Sequence, residues 1–593
     1  MYRAPVDEIA FTLKQVCGLG DLQQSARHAE LGDDLVDAIL TEAGKFASEE
    51  IAPLNSVADT HGTPLTNGEV STPPGWRELY HAWIEGGWNG LTADPESGGQ
   101  GLPQMLSAAA LEMWNSGSMA FAIGPTLTMG AIEAMEKHAS ADLQAKYLEK
   151  LVSGEWMGTM NLTEPQAGSD LNALKAKAER NADGTYRIYG QKIFITYGDH
   201  DLTDNIIHMV LARLPDAPAG TKGISLFLVP KFLVNDDGSL GERNDVKVAG
   251  VEHKMGIHGS PTCTMVYGDE GGAAGWLIGE ENRGLACMFT MMNNARLAVG
   301  IQGLGVAERA YQHALGYAVE RKQGRAPGET QEGMSPIARH PDIKRMLLAM
   351  KSRTQVSRAI CYACAHAIDM ANLAEDTEAK TFWSERASLL TPIAKALPTD
   401  FGVEVSSLGI QVHGGMGYIE ETGAAQHLRD ARIASIYEGT NGIQSIDLVM
   451  RKLPLSGGEH IKGFISELQA IADEVAASNR PEFGAAAERL NASIQDLRDA
   501  TDYMANAQSE GRVADALSGA TPYLRVAGLT LGGALLAKGA LHSVSEPAQR
   551  LAERTLIARN FCETVLGETA GLKSDILLSA ESIQAFDAEA LAS

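Results

Sequence analysis

Two stretches decide how the chain is interpreted: Gln411-Val-His-Gly-Gly-Met-Gly-Tyr418 and Arg429-Asp-Ala-Arg-Ile-Ala-Ser-Ile-Tyr-Glu438-Gly-Thr-Asn-Gly-Ile-Gln444. The first is a glycine cluster, and glycine lets a ligand approach the main chain closely. The second places a single carboxylate, Glu438, after apolar residues. Desolvation raises the pKa of a carboxyl group among apolar neighbours, as a general base near neutral pH requires. A lone glutamate after a tyrosine is more often a surface or capping residue, so Glu438 needs the whole pattern as support.

That whole pattern closely resembles the acyl-CoA dehydrogenase family. In that family, the glutamate matching Glu438 removes the α-proton of an acyl thioester, and the glycine cluster contacts FAD. The resemblance implies contacts along both stretches: cofactor contacts from Gln411, Gly414, Gly415, Thr440 and Asn441, and a substrate contact from Gly439.

The bulk composition is that of a soluble globular protein with several domains. The 593 residues are 44% apolar and 21% charged, which suits packed domains rather than disorder. The 75 acidic residues outnumber the 49 basic ones, for a formal charge of −26. This balance disfavours duplex nucleic acid and anionic membranes as partners.

Six cysteines are too few for a disulfide framework. Cys361 and Cys364 have a metal-type or redox-type spacing, but they lack a second Cys or His pair. We therefore expect buried thiols in a reducing compartment and no metal.

Neither a secretory signal nor a membrane span is expected. The first residues lack a basic segment followed by an apolar one. The most hydrophobic stretch, Tyr523 to Leu541, contains Arg525 and Lys538, so we predict a buried helix. These features favour a cytoplasmic location.

Hydrophobic periodicity divides the chain into four regions. Residues 1–157 are mainly helical, 158–285 form a β domain, 286–455 are helical again, and 456–593 form an additional helical domain after the linker-like break at Leu455-Ser-Gly-Gly458. The order of helices, strands and helices favours separate domains over a βαβ sheet, so the fold class is mainly α with a central β domain. The resemblance implies a helical N-domain, a β-barrel-like middle domain and a C-terminal helical bundle.

Three local predictions follow from the same patterns. Helices are expected at 286–321, 340–374 and 379–409, and a hairpin at Asn181-Ala-Asp-Gly184. Leu35, Ile39 and Phe46 are expected to share one buried helical face.

The β region opens with Met160-Asn-Leu-Thr-Glu-Pro-Gln-Ala-Gly-Ser-Asp170, a turn whose small and hydroxyl residues can present N–H groups to a polar ligand. The family has a similar segment that binds the flavin ring. The resemblance implies cofactor contacts from Met160, Leu162, Thr163 and Ser169, with Ser169 also near the acyl-CoA.

Phe194 and Thr196 are two apart on a predicted strand, so their side chains should point the same way. The family carries Trp-Ile-Thr here, with the aromatic ring on the flavin and the threonine near its reactive nitrogen. Phe194 replaces tryptophan, and a phenyl ring can still stack, with less area and no N–H.

Further segments resemble the family with substitutions. His258 stands where arginine is usual and is interpreted as structural. Arg296 matches an arginine that approaches CoA, and Asn293 replaces an aspartate of many short- and medium-chain members, which favours the long-chain branch.

Arg321, with Gln323 beside it, matches an arginine that reaches the FAD pyrophosphate of a neighbouring subunit, which implies a homodimer. Arginine suits phosphate because its planar fork makes paired hydrogen bonds.

The resemblance covers roughly residues 40–455 and implies an FAD-dependent acyl-CoA dehydrogenase that makes trans-2-enoyl-CoA and passes electrons to an electron-transfer flavoprotein. Length, N-terminus and C-terminal extension look like the branch of 3-(methylthio)propanoyl-CoA dehydrogenases of bacterial sulfur metabolism. The preferred reaction is therefore 3-(methylthio)propanoyl-CoA to 3-(methylthio)acryloyl-CoA. A medium- or long-chain fatty acyl-CoA dehydrogenase, an acyl-CoA oxidase and a non-catalytic flavin-bound scaffold remain alternatives.

Overall fold

The computed structural model describes residues 2–330 and 332–592, except for the side chains of residues 289–293. The chain forms two compact units. The first comprises Met1–Gly44, Gln104–Ser116 and Arg296–Ser593, and the second comprises Lys45–Pro103 and Gly117–Ala295. The predicted class, mainly helical with a central sheet, is confirmed.

The second unit is built on an eight-stranded sheet. Seven strands follow one another in the order Val246–Val251, Thr262–Tyr267, Tyr186–Thr196, Ala273–Ile278, Ser225–Pro230, Ile206–Ala212 and Met157–Asn161. Lys177–Arg180 pairs with Tyr186–Thr196 outside this path, which confirms the hairpin predicted around Gly184. Only Met157–Asn161 and Ile206–Ala212 are parallel among these described pairs. Strands Ser225–Pro230, Ile206–Ala212 and Met157–Asn161 are buried at every residue and contribute to this unit's hydrophobic core.

Helices and smaller hairpins complete the second unit. Its helices are Asn55–His61, Trp76–Glu85, Ala141–Ser153 and most of Gln104–His138, whose regular backbone is interrupted at Ser118. Two further hairpins pair Leu65–Thr66 with Glu69–Val70, and Phe232–Val234 with Leu240–Arg243.

Three long helices dominate the first unit and confirm the three predicted ones. They are Gly284–Glu320, which begins in the second unit, Pro341–Leu373 and Thr377–His413. The remaining helices of this unit are shorter: Val6–Phe11, Leu19–Gln23, most of Asp33–Phe46, Ala424–Ala431, Asn441–Asp447, Glu459–Ala477, Ala486–Ser509, Val513–Ser518, Ala520–His542, Ala548–Asn560, Glu568–Leu578, Ala580–Ala585 and Ala588–Ala592.

One predicted helical face is wrong. In Asp33–Phe46 the buried residues include Val36, Leu40 and Ala43, whereas Leu35 is 46% exposed. The N-terminal residues pack on the side marked by Gly44, where an added Cβ would lie 2.9 Å from the Ala4 side chain. Both sets of residues have helical spacing, and packing against the N-terminal residues selects the set that is buried.

The apolar helix near the C-terminus is a core helix. By length and composition, Ala520–Ser545 could cross a membrane, since its most apolar stretch has a mean hydropathy of 1.3. However, 78% of that stretch is buried inside the protein. Phe464, Leu468, Leu490 and Ile494, which lie on two further helices of this unit, are buried as well.

All six cysteines are free and buried. Burial raises the pKa of the Cys364 thiol to about 12, so this thiol is inert as a nucleophile at neutral pH. No group of three or more His, Cys, Asp or Glu side chains suited to a metal occurs within residues 2–330 and 332–592.

Candidate active site

Glu438 has a backbone conformation that residues with a Cβ seldom adopt. Its φ is +54° and that of Gly439 is +81°, so the chain turns through two left-handed residues before helix Asn441–Asp447 begins. Such a conformation costs about 1–3 kcal/mol and persists where the surroundings impose it. Gln444 imposes it here, since its Nε2 donates to the Gly439 carbonyl at 3.1 Å and the Glu438 carbonyl at 3.4 Å.

The surroundings of the Glu438 side chain favour a basic carboxylate. Burial raises the pKa of this carboxyl group, while the positive charges of Arg296 and then Lys395 act in the opposite direction. The preceding residue is anchored because the Tyr437 hydroxyl donates to Gln302 Oε1. The Glu438 carboxyl group can therefore still ionise, and its carboxylate is more basic than that of an exposed glutamate.

Arg296 is only partly neutralised by its acidic neighbour. Its Nη1 lies 3.8 Å from Asp447 Oδ2, and its Nε has no hydrogen-bond partner among the described residues. The Arg296 side chain is 11% exposed, and the part of its guanidinium group that reaches the surface can bind a polar or anionic ligand group. Asn293 was the residue whose identity favoured the long-chain branch. Its side chain lies outside the described residues.

The glycine cluster ends helix Thr377–His413 and leaves open space. Gly414 has a φ of +60° and its N–H donates to the Gln411 carbonyl. A Cβ added at Gly414 or Gly415 would meet nothing within 4 Å, and Gln411 is exposed. The backbone here is accessible to a ligand.

Arg321 and Gln323 lie in a loop whose backbone is fixed while their side chains are exposed. Ile337 N–H donates to the Arg321 carbonyl at 2.7 Å, and Gln323 N–H donates to the Ser335 carbonyl at 3.1 Å. The loop therefore presents an exposed arginine from a defined position.

In the second unit, a buried ion pair holds the turn that contains Leu162, Thr163 and Ser169. Lys192 Nζ donates to Glu164 Oε1 at 2.8 Å and to the Leu162 carbonyl at 3.0 Å. Glu164 also accepts from the N–H groups of two following residues, Lys175 and Ala176. Met160 is buried in the strand before the turn, Leu162 and Thr163 are half-buried, and Ser169 is exposed.

Phe194 lies in a β-bulge. The partners of strand Thr262–Tyr267 shift register there, because Ile195 faces Cys263 whereas Lys192 faces Met265. Phe194 has a φ of +59° and its ring is 58% exposed, while Ile195 is buried and Thr196 half-buried. Bulges re-aim side chains next to functional sites, and this one presents a bare aromatic ring.

His258 joins two segments of the second unit. Its Nδ1 lies 2.9 Å from the Asp59 carbonyl and 3.0 Å from Asp59 Oδ1, and its Nε2 lies 2.9 Å from the Lys254 carbonyl. Because each ring nitrogen has an acceptor, His258 stabilises the contact between these segments. This agrees with the structural role predicted for it from the sequence.

The residues predicted from sequence patterns did not include Lys395, Asp400 and Gln302, which lie around the segment that carries Glu438. A signal for Lys395 did exist, since a lysine inside the apolar run Ile393–Leu397 must be buried with a partner. Asn441 was assigned to the cofactor, yet its side chain bonds to Lys395, Thr399 and Asp400 of the protein itself.

Three local features among the described residues fit FAD. An exposed phenyl ring suits a planar ring system. The exposed guanidinium of Arg321 suits a pyrophosphate. Glycines with open space above the backbone permit close approach of a large cofactor.

Family models match nearly the whole chain. The N-terminal domain of acyl-CoA dehydrogenase matches residues 34–155, its middle domain 159–269 and its C-terminal domain 282–453. A model described as acetyl-CoA dehydrogenase C-terminal like matches residues 464–587.

Individual relatives of the chain are acyl-CoA dehydrogenases too. The chain is 42% identical to a 3-methylmercaptopropionyl-CoA dehydrogenase of Ruegeria pomeroyi, over 98% of this chain and 99% of the relative. It is 38% identical to a butyryl-CoA dehydrogenase of Syntrophomonas wolfei, over 81% and 79%. The structure of an acyl-CoA dehydrogenase from Bacillus anthracis complexed with FAD has a TM-score of 0.74, with 21% identity over 98% of this chain and 93% of that one. The chain therefore belongs to the acyl-CoA dehydrogenase family.

Proposed function

We propose that this chain oxidises 3-(methylthio)propanoyl-CoA to 3-(methylthio)acryloyl-CoA with FAD, as a step of dimethylsulfoniopropionate catabolism. The reaction type rests on family membership together with Glu438, a desolvated carboxylate held in a left-handed turn. The substrate is supported by the 42% identity to the Ruegeria pomeroyi relative, which extends over 98% of this chain and includes the additional helical domain.

Glu438 acts as the general base. It takes the α-proton of the thioester, and because that proton is weakly acidic, the thioester carbonyl oxygen must be polarised in the transition state. The Glu438 backbone N–H is proposed to donate to that oxygen. When bound, FAD supplies the acceptor for the hydride that leaves the β-carbon, which completes a trans double bond. The positive charge of Arg296 keeps Glu438 ionisable between turnovers.

The other site residues keep their proposed roles. Ser169, Arg296 and Gly439 are proposed to contact the acyl-CoA. The proposed FAD contacts are Met160, Leu162, Thr163, Ser169, Phe194, Thr196, Arg321, Gln323, Gln411, Gly414, Gly415, Thr440 and Asn441. An electron-transfer flavoprotein is proposed as the electron acceptor, and the cytoplasmic location stays a prediction.

A homodimer is proposed because apolar side chains beside the glycine cluster are uncovered. Met416, Tyr418 and Ile419 are 48%, 86% and 45% exposed. Adjacent apolar side chains at such exposure mark a protein interaction surface. By the family resemblance, the partner is a second copy whose Arg321 completes the cofactor site.

Tyr418→Asp is expected to weaken this dimer, since it places a charge where an aromatic anchor would be buried. We expect the dimer dissociation constant to rise by at least about tenfold, measured by sedimentation velocity. Leu578→Asp, at a side chain that is 76% exposed elsewhere in the first unit, is the matched control. A wild type that sediments as a monomer at micromolar concentration would contradict the proposal.

A straight-chain fatty acyl-CoA is the second candidate substrate. The butyryl-CoA dehydrogenase relative supports it, at 38% identity over 81% of this chain. The two candidates share Glu438 and FAD and differ only in the acyl group that the pocket accepts.

Anaerobic titration of the bound flavin separates the candidates. We expect 3-(methylthio)propanoyl-CoA to bleach the long-wavelength flavin band fast, and octanoyl- and palmitoyl-CoA to bleach it slowly, with butanoyl-CoA included for comparison. A preference for butanoyl-, octanoyl- or palmitoyl-CoA would instead support the fatty acyl-CoA candidate. Bleaching by none of the four would favour the non-catalytic scaffold, and hydrogen peroxide release in air would identify an oxidase.

A further inference from the structure

Lys395 is buried in the middle of a helix. It belongs to Thr377–His413, its side chain is fully buried, and its sequence neighbours Ala394 and Ala396 are buried too. A buried ammonium group is costly unless hydrogen bonds and opposite charges compensate it. The groups that compensate Lys395 therefore indicate why it is there.

The ammonium group bonds to the segment that carries the base. Lys395 Nζ donates to Asn441 Oδ1 at 2.8 Å. Asn441 Nδ2 in turn donates to Asp400 Oδ1 at 2.7 Å and to Thr399 Oγ1 at 3.0 Å. Asn441 is the first residue of helix Asn441–Asp447 and follows Glu438 by only Gly439 and Thr440. The long helix thus fixes the turn that contains Glu438.

The charges around Lys395 form a small network of two cations and two carboxyl groups. Burial lowers the pKa of Lys395 to about 8, against the attraction of Glu438 and Asp400, and Arg296 lowers it further. Burial raises the pKa of Glu438, and Arg296 and Lys395 oppose that rise. Lys395 and Glu438 therefore each support the charged form of the other.

We propose that Lys395 is a positioning residue for the catalytic base: through Asn441 it holds the turn that carries Glu438, and its ammonium charge favours the ionised carboxylate. This inference rests on the proposed function, in which Glu438 takes the α-proton. It assigns a role to a residue outside the base itself and outside the proposed cofactor and substrate contacts.

Lys395→Met tests the proposal, because it removes the charge and the donor while keeping the length of the side chain. Loss of a neighbouring positive charge should move the acid limb of the kcat/KM profile up by about one pH unit. At pH values on that limb, kcat/KM should fall roughly tenfold, with recovery at higher pH. KM is expected to change little. Lys395→Arg retains the charge and should restore most of the wild-type profile.

A matched control lies on the same helix. Lys380 is exposed, and Lys380→Met should keep the wild-type profile. A Lys395→Met profile lowered by one factor at every pH, or identical to that of wild type, would overturn the proposal. Lys395→Gln provides the same neutralisation if the methionine variant does not fold.

A second measurement does not depend on turnover. The carboxyl stretching band that Glu438→Gln removes can be titrated by difference infrared spectroscopy without acyl-CoA. Lys395→Met should shift this titration to higher pH, and an unshifted band would overturn the inference. If wild type oxidises no acyl-CoA, the proposed function fails, while the infrared titration still decides whether Lys395 acts on Glu438.

Discussion

Glu438→Gln is expected to lower kcat by roughly 10²–10⁴-fold, the usual contribution of a general base. Glutamine has nearly the same shape as glutamate, so the left-handed turn and its bonds from Gln444 should persist. What it lacks is a group that can accept the α-proton. Purified variant should stay yellow, and the anaerobic bleaching rate with the preferred acyl-CoA measures the loss.

The stability of the same variant separates lost chemistry from lost folding. Because the folded-state pKa of Glu438 is raised above 4.5, stability from this group is present at low pH and is lost as pH rises through the raised pKa. A neutral glutamine avoids that loss. The variant should therefore be at least as stable as wild type at neutral pH.

Glu421→Gln provides the matched control, since it makes the same change at an exposed glutamate after the glycine cluster. It should keep the wild-type turnover rate and flavin content. A Glu438→Gln enzyme with near-wild-type turnover would show that another group is the base.

The features that local chemistry specifies could be predicted from the sequence. The helix expected at 286–321 is found at Gly284–Glu320, and the hairpin turn at Gly184 has the expected positive φ. Periodicity and turn residues act over a few positions, so they can be recognised without knowing the fold. The segment around Glu438 was found because its order of residues matches a family pattern, and its raised pKa agrees with the desolvation argument.

Features that depend on distant partners could not be predicted. Leu35 with Ile39, and Val36 with Leu40 and Ala43, both have helical spacing, so spacing alone does not decide which stripe is buried. The bulge at Phe194 depends on the pairing of Ile195 with Cys263 and of Lys192 with Met265. These partners lie on a strand that comes much later in the sequence. Lys395 faces Asn441, which is 46 positions along the chain. Spacing within one helix cannot show which charge is buried against which neighbour.

Arg358→Met is expected to destabilise the protein by about 3–5 kcal/mol, the cost of leaving buried carboxylates without their cation. Arg358 is 1% exposed, and its Nη2 donates to Glu308 Oε2 at 2.8 Å while its Nε donates to Glu112 Oε1 at 3.0 Å. Glu112 and Glu308 are 0% and 2% exposed, and Glu112 also accepts from the Tyr362 hydroxyl. Urea unfolding of the variant and of wild type measures the difference.

The pH dependence of that loss identifies its origin. Burial alone would raise the pKa of Glu308, but the positive charge of Arg358 holds it below its ordinary value. Stability from this carboxylate is therefore present above pH 4.5 and is lost as pH falls through the lowered pKa. Without Arg358, the buried Glu308 carboxyl group should take up a proton as pH falls, so the variant's deficit should be larger at pH 8 than at pH 5.

Arg345→Met is the control for this prediction, because Arg345 lies on the same helix, is 65% exposed, and pairs with Asp342 at 2.8 Å. An exposed pair of this kind contributes at most about 1 kcal/mol. Arg358→Met and Arg345→Met should therefore differ by several kcal/mol at pH 8. Adding Glu112→Gln to Arg358→Met should recover part of the loss, since it removes one unpaired charge. Equal effects at the two arginines would mean that the interior around Arg358 tolerates unpaired carboxylates, contrary to the expected cost of burying them.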